Sequence, residues 1–160
     1  MMTFKTAYLC DEFEREVQVV LPGLRNFGGR ARFHGEIVTV RALGDFSRVR
    51  EQVRSAGTGK VLVVDNEAAM RAAMLGDLLA AAAIENGWQG VVIHGCIRDS
   101  ADIATMELGV KALGTVPARG KREEQGEVNV KLQFLGAEFR PGDFLYSDED
   151  GILLSSRALF

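Results

Sequence analysis

Two apolar runs without polar interruption stand out in the middle of the chain. VLVVD (residues 61–65) and VVIHG (residues 91–95) are rich in β-branched side chains. Continuous runs of this kind fit strands buried on both faces, as in a parallel sheet. Between them, DLLAAAAIEN (residues 77–86) predicts a helix that starts at Asp77, with Asn86-Gly87 as its C-cap. Its Ala-rich face allows a neighbour to pack closely. NEAAMRAAML (residues 66–75) is read as a short helical turn leading into Gly76.

On either side of this unit the pattern is more broken. TAYLCDEFER (6–15) predicts a short helix capped by Thr6, and VQVVLPG (17–23) a strand ended by Pro22-Gly23. Gly28-Gly29 mark a tight turn, and GEIVTVRAL (35–43) alternates as a half-buried strand does. Asp45 caps a polar helix, FSRVREQVRSAG (46–57), which Gly57 and Gly59 close. DSADIATMELG (99–109) predicts a helix capped by Asp99 or Ser100, and KALGTVPARG (111–120) a short strand ending at Pro117. GKREEQGEVN (120–129) is polar and is read as an exposed loop. Residues 130–156 read as three or four short strands with turns at Leu135-Gly136, Pro141-Gly142 and Asp150-Gly151.

Strands at both ends around a strand–helix–strand middle predict one α/β domain, residues 1–160, with a mixed sheet. A chain of this length buries roughly 68–70% of its unfolded surface, enough for a core without staples. Net charge is −3 with acids and bases interspersed, so no basic block argues for direct nucleic-acid binding. No apolar run approaches the ~20 residues that span a bilayer, and the N-terminus lacks the apolar core of a signal peptide. Cys10 and Cys96 lie far apart and form no CxxC, which fits a reducing compartment. A soluble cytoplasmic protein is expected.

The candidate chemistry lies in two pairs, Gly76-Asp77 and Arg98-Asp99, with twenty residues between Asp77 and Arg98. A helix starting at Asp77 presents the free N–H groups of Leu78 and Leu79, which suit a carboxylate, and Gly76 lets a ligand approach the backbone. The simpler local explanation of Asp77 is a cap on its own helix. Arg98 offers a planar fork for a carboxylate or a developing oxyanion, and Asp99 is a hard oxygen ligand for Mg²⁺ or Mn²⁺. The plain alternative for this pair is a surface ion pair. Its place at a strand's carboxyl end favours a site. His34 and His94 have no metal-ligand spacing, Asp11 is read as a helix-face acid, and Cys10 and Cys96 lack a partner base. There is no dinucleotide fingerprint, no phosphate-binding G-x-x-x-x-G-K and no G-x-S-x-G.

Several stretches carry a resemblance. They are LCD at 9–11, NFGGRARFHGEIVTV at 26–40, GKVLVVD, GDLLA, NGWQGVVIHGCIRD and PGDFLYSDEDGI. With the intact G-D-x20-R-D pair, they resemble the RraA-like family (regulator of ribonuclease E activity A). That family includes the class II, metal-dependent 4-hydroxy-4-methyl-2-oxoglutarate/4-carboxy-4-hydroxy-2-oxoadipate aldolases. The resemblance implies a swivelling β/β/α-type domain assembled as a ring-shaped homotrimer with sites between subunits. It implies that Gly76, Asp77, Leu78 and Leu79 hold the pyruvyl carboxylate of a small 2-oxo acid and that Arg98 contacts the substrate. It further implies that Asp99 binds the divalent metal and that Asp77 is associated with a metal-bound water. Catalysis would rest on Arg98 and Asp77, and oxaloacetate decarboxylation would accompany aldol cleavage, since both pass through a pyruvate enolate.

Longer aldolases of the family carry further C-terminal sequence that brings an acid from a neighbouring subunit near the metal. The last residue here is Phe160, with no clear equivalent; decarboxylation, which deprotonates no alcohol, does not need one. Some short members bind and inhibit ribonuclease E, and that is the alternative function the resemblance implies. Retention of the Gly-Asp/Arg-Asp set favours the enzyme. Methyl transfer, a label some members carry, finds no glycine-rich cofactor loop after an early strand.

Overall fold

The computed structural model describes residues 3–160. Its centre is a parallel sheet of β3 (Phe33–Arg41), β4 (Lys60–Asp65), β5 (Gly90–Ile97) and β6 (Gly109–Thr115). β4 is buried along nearly its whole length and β5 almost as completely, as their unbroken apolar runs require. The antiparallel strands β10 (Phe144–Ser147), β11 (Ile152–Ser155) and β1 (Val17–Val19) extend the sheet beyond β3. Beyond β6 lies the two-residue β2 (Arg25–Asn26), and β7 (Glu127–Val128) pairs with the end of β3. The result is a nine-stranded mixed sheet.

The two faces of this sheet are covered differently. One carries α2 (Ser47–Val53), α3 (Asp77–Glu85) and α4 (Ser100–Ile103). Val64, Val91, Ile93 and Ile97 meet Val49, Val53, Ala80, Ala83 and Ile103 there. The other carries the hairpin β8 (Leu132–Phe134) and β9 (Ala137–Phe139), whose Leu132, Phe134 and Phe139 pack on Ile37, Val61, Val63 and Val92. Its turn places Leu135 and Gly136 both at positive φ, the conformation that tight hairpin turns need. A smaller cluster joins α1 (Thr6–Glu12) to β11 through Leu9, Tyr146 and Leu153. Helices on one face and the hairpin on the other make a single α/β domain around a mixed sheet, and four strands follow residue 130 as the sequence pattern indicates.

Several local expectations change. Residues 66–75 form no helix: Glu67 and Ala68 form a turn at positive φ, and after further bends the segment meets β5 at Ala73, with Met74 N–H donating to Cys96 O at 3.0 Å. Thr6 is inside α1 rather than capping it, because its N–H and hydroxyl both donate to the buried Asp148 carboxylate. Asp45 stands one residue ahead of the α2 N-cap and accepts from the Ser47 N–H. Asp99 is the N-cap residue of α4 but makes no side-chain cap, and α4 is a single turn. Gly28 and Gly29 form bends of ordinary φ. Added Cβ atoms there would lie 2.1 Å from Leu108 O and 2.3 Å from Met106 O, so close approach to the α4–β6 loop is what requires glycine. The Asn86-Gly87 cap of α3 stands as expected, with Gly87 at positive φ. No described helix is long and apolar enough to cross a membrane.

Phe33 is the tightest joint of the hairpin-side core. Its ring lies across Gly90 of β5 and Gly109 of β6, where an added Cβ would come within 2.4 Å and 2.1 Å of it. Phe33→Ala should cost about 3–5 kcal/mol, the range for emptying an aromatic site. Urea unfolding of the variant should show the loss as a lower midpoint with an unchanged slope.

Candidate active site

The two dipeptides singled out in the sequence meet at the carboxyl end of β5. The segment before α3 brings them together. Ala73 bridges to Cys96, and the Arg98 N–H donates to Leu75 O at 3.0 Å. A register shift in β5 between Ile93 and Cys96 turns the strand end, as bulges beside functional sites do. Gly76, Asp77, Leu78, Leu79, Arg98 and Asp99 consequently line one cavity of about 350 Å³.

Asp99 holds the arrangement. Its backbone is left-handed (φ 56°, ψ 39°), which aims the carboxylate away from its own helix and toward α3. Asp99 Oδ2 accepts the Asp77 N–H at 2.9 Å. Gly76 has an ordinary extended φ. What demands glycine is proximity, since an added Cβ would lie 2.7 Å from Asp99 Oδ2 and 3.4 Å from the Arg98 side chain. The expectation of free N–H groups is met only in part. Asp77 sits at the first helical position, with Gly76 as N-cap, and its Oδ1 takes the Leu78 N–H at 2.8 Å. Among the described residues the Leu79 N–H has no acceptor. Arg98 is half-buried and held lightly, its guanidinium donating to Pro117 O at 3.4 Å. It is not the partner of Asp99 in a surface ion pair.

The rest of the cavity went unread in the sequence. Phe46, Arg50 and Arg54 line it from the N-cap, body and C-cap of α2, and Arg119 and Arg122 from the loop after β6. The Arg119 guanidinium lies 5.8 Å over the Phe46 ring. Arg50 and Arg54 stand one turn apart on an otherwise polar helix, and that i, i+4 spacing was the available signal. Nothing in GKREEQGEVN signalled that its first residues close over a pocket. They do so because Asp45 is buried. Its Oδ1 accepts the Ser47 N–H at 2.8 Å, and its Oδ2 accepts the N–H groups of Glu123 (2.6 Å) and Gln125 (3.4 Å). Burial alone would raise the Asp45 pKa. The Ser47 hydroxyl and these three N–H groups outweigh it and hold the carboxyl below its usual range.

The remaining candidates belong to the framework. His94 Nδ1 lies 3.0 Å from Asp65 Oδ1, and the ring stacks on Phe134 on the hairpin side of the sheet. His34 packs between Phe4, Tyr146 and Phe160, and burial lowers its pKa. Cys96 is buried, Cys10 half-buried, and neither is in a disulfide. Asp11 is an exposed acid of α1 and does not line the cavity.

A divalent cation fits the donors present in one form only. No three His, Cys, Asp or Glu side chains converge among the described residues, which disfavours a protein-enclosed zinc-type centre. Asp99 is exposed with Oδ1 free of protein partners, its Oδ2 is held by the Asp77 N–H at 2.9 Å, and the Asp77 carboxylate lines the same cavity. One or two carboxylates with water completing the shell is how Mg²⁺ is usually held.

A helix N-terminus, an arginine and an exposed carboxylate meet at the carboxyl end of a parallel strand of an α/β domain, an arrangement with donors that suit a small organic anion. The comparisons place it further: residues 6–154 match the family model RraA-like (Aldolase/RraA), and the chain belongs to that family. A relative from Dechloromonas aromatica is 50% identical over 162 residues, covering 99% of both chains. Its assignment as a 4-hydroxy-4-methyl-2-oxoglutarate aldolase is itself a proposed one. The crystal structure of an S-adenosylmethionine:2-dimethylmenaquinone methyltransferase from Geobacillus kaustophilus superposes with TM-score 0.96 at 45% identity, covering 98% of this chain and 97% of that one. The RNA-processing inhibitor RraA from Thermus thermophilus gives TM-score 0.96 at 40% identity, covering 99% and 96%.

The buried Asp45 carboxylate generates a prediction about the cavity's stability. Asp45→Asn turns one oxygen into a donor facing two N–H groups and should cost about 1.5–3 kcal/mol near pH 7, the scale of hydrogen bonds to a charged group. Because its folded pKa is depressed, Asp45 contributes stability above its unfolded pKa of about 3.9 and loses it as pH falls through the lower folded value. Urea midpoints measured from about pH 7 to about pH 3 should therefore fall less steeply for Asp45→Asn than for the wild type.

Proposed function

We propose that this chain is a divalent-metal-dependent lyase that cleaves the C–C bond of 2-oxo acids through a pyruvate enolate. It acts as a 4-hydroxy-4-methyl-2-oxoglutarate aldolase with oxaloacetate decarboxylase activity. The observation that carries this is the convergence of the α3 N-terminus, Arg98 and Asp99 on one arginine-rich cavity. The 50% identical Dechloromonas relative supports it.

In this scheme the substrate carboxylate binds the Leu79 N–H and takes the Leu78 N–H from Asp77 Oδ1. The exchange frees the Asp77 carboxylate to hold a water that moves the proton. Asp99 would hold Mg²⁺ or Mn²⁺ with Asp77 beside it, and the ion when bound supplies Lewis-acid polarisation of the 2-oxo group. Arg98 lies beside the 2-oxo oxygen. As the bond between C3 and C4 breaks, its electron pair becomes the enolate and charge collects on that oxygen. The guanidinium gains most at that moment, so it acts mainly on the transition state. C4 leaves as a carbonyl whose hydroxyl proton passes to the water held by Asp77, or as CO₂ from oxaloacetate. Protonation at C3 completes pyruvate.

Losing one preorganised donor to an oxyanion costs ~10²–10³ in kcat. Arg98→Ala should lose about that much, with a smaller change in KM, and Arg98→Lys should recover only part because a point charge cannot replace the fork. Asp99→Ala should need more Mg²⁺ and be partly rescued by it. The assay is cleavage of oxaloacetate and 4-hydroxy-4-methyl-2-oxoglutarate with Mg²⁺ and with EDTA. A wild-type rate for Arg98→Ala, or equal rates in EDTA and Mg²⁺, would overturn the scheme.

The assembly we propose is a cytoplasmic ring-shaped homotrimer with sites between subunits. Leu78 is 80% exposed at the cavity edge and Ile84 is exposed on the same helix, an apolar surface that a second subunit would cover. Light scattering in dilute solution should give three times the chain mass, and a monomer mass would remove the shared site. A second reading, a protein-binding regulator of ribonuclease E, is favoured by the 40% identity to the Thermus RNA-processing inhibitor. Methyl transfer, named for the Geobacillus neighbour, has less support, since the turn after β3 carries the lone glycine Gly44.

A further inference from the structure

Four of the arginines around the cavity have nothing to bind. Arg50, Arg54, Arg119 and Arg122 make no side-chain hydrogen bond or ion pair with any described residue. Arg48, on the same helix as Arg50, shows the contrast. It donates to Glu51, Glu124 and two backbone carbonyls, and so engages the acids closest to this wall. Arg50 in α2 and Arg54 at its C-cap stand one turn apart, a like-charge spacing that is unfavourable. Partial burial, and then the charges of Arg122 and Arg54, pull the Arg50 pKa below its usual range against the opposite pull of Glu124 and Glu51. Arg119 is fixed in direction by its contact with Phe46. Five arginines, with Arg98, face only two carboxylates, Asp77 and Asp99, around a cavity of about 350 Å³. That excess of positive charge is relieved when an anion enters, and the volume suits a small molecule.

We propose that Arg50, Arg54, Arg119 and Arg122 form a second anion subsite that holds carboxylates on the leaving half of the substrate. On this basis 2-oxo acids with two carboxylates beyond C4 are preferred over those with one. The inference rests on the lyase reading for the position of the pyruvyl end at Leu79 and Arg98. Guanidinium forks match carboxylates two bonds at a time, and four forks can serve two carboxylates where one would leave half of them unpaired. Elongated dianions and trianions therefore bridge the cavity, and pyruvate, which has one carboxylate, engages only the α3 end.

Two measurements separate this from the catalytic reading. Calorimetry with propane-1,2,3-tricarboxylate and with succinate needs no turnover. The wild type should bind the tricarboxylate ~10-fold or more tightly, the scale of one added charge-assisted pair, and the preference should shrink with added salt. Arg50→Gln and Arg122→Gln should each reduce that preference, and the double variant should abolish it with its circular dichroism unchanged. The affinity for pyruvate should stay at the wild-type value. In cleavage, the wild type should show a higher kcat/KM for 4-carboxy-4-hydroxy-2-oxoadipate than for 4-hydroxy-4-methyl-2-oxoglutarate, which bears a methyl in place of the carboxymethyl group on C4. The double variant should lose that difference through KM. Equal wild-type affinity for the two carboxylates, or a preference that survives both substitutions, overturns the subsite. A binding preference without cleavage of either substrate leaves the subsite standing and overturns the lyase.

Discussion

The site depends on one hydrogen bond, from the Asp77 N–H to Asp99 Oδ2. It ties the start of α3 to the end of β5. Two local costs accompany it: the left-handed backbone of Asp99 and the glycine at position 76 that leaves room for the carboxylate. It also settles how Asp99 is used. A carboxylate that capped α4 would point into its own helix. By accepting from α3 instead, Asp99 leaves its second oxygen at the cavity and sets its charge against the positive end of the α3 dipole. Arg98 follows from the same geometry. Its N–H on Leu75 O fixes the backbone, and its weakly held guanidinium stays free for a ligand.

A second constraint shapes the other wall. Asp45 is a buried carboxylate that holds backbone N–H groups from both α2 and the loop after β6. The arginines on those two elements repel one another, and without a central acceptor the loop would be free to open. Strands β4 and β5, buried on both faces, give both walls a rigid base. Flexibility is thus kept to the side chains, and the backbone that places them is fixed by buried hydrogen bonds.

What was legible in the sequence follows physical range. The runs at 61–65 and 91–95, the Asn86-Gly87 cap and the hairpin turn at Leu135-Gly136 are local patterns, and each is present in the fold. Gly76-Asp77 and Arg98-Asp99 were legible because strand, helix and strand in succession bring strand ends and helix starts to one edge. Residues 66–75 misled, because an Ala-rich composition favours helix while turns and hydrogen bonds to β5 hold the segment out of one. The role of Gly76 was misjudged for a similar reason: the atom it must avoid belongs to Asp99, far along the chain. Of the arginine wall only the Arg50/Arg54 spacing was legible; its closure by Arg119 and Arg122 was not, since it depends on Asp45 reaching residues 123 and 125.

The two walls divide the labour of binding, and this bears on how one family can hold proteins of different activity. The α3 end, with one free N–H, one fork and one carboxylate, offers the same few contacts to any acid with a pyruvyl group. Such a site discriminates little, because its contacts are common to many 2-oxo acids. On the proposed reading, discrimination falls to α2 and the loop after β6, where charges are carried on side chains and are not part of the β4–β5 base. Changing those charges leaves the Asp77–Asp99 bond untouched. A fold arranged in this way can alter what it binds, or present the loop as a surface for a partner, without rebuilding the chemistry at the end of β5.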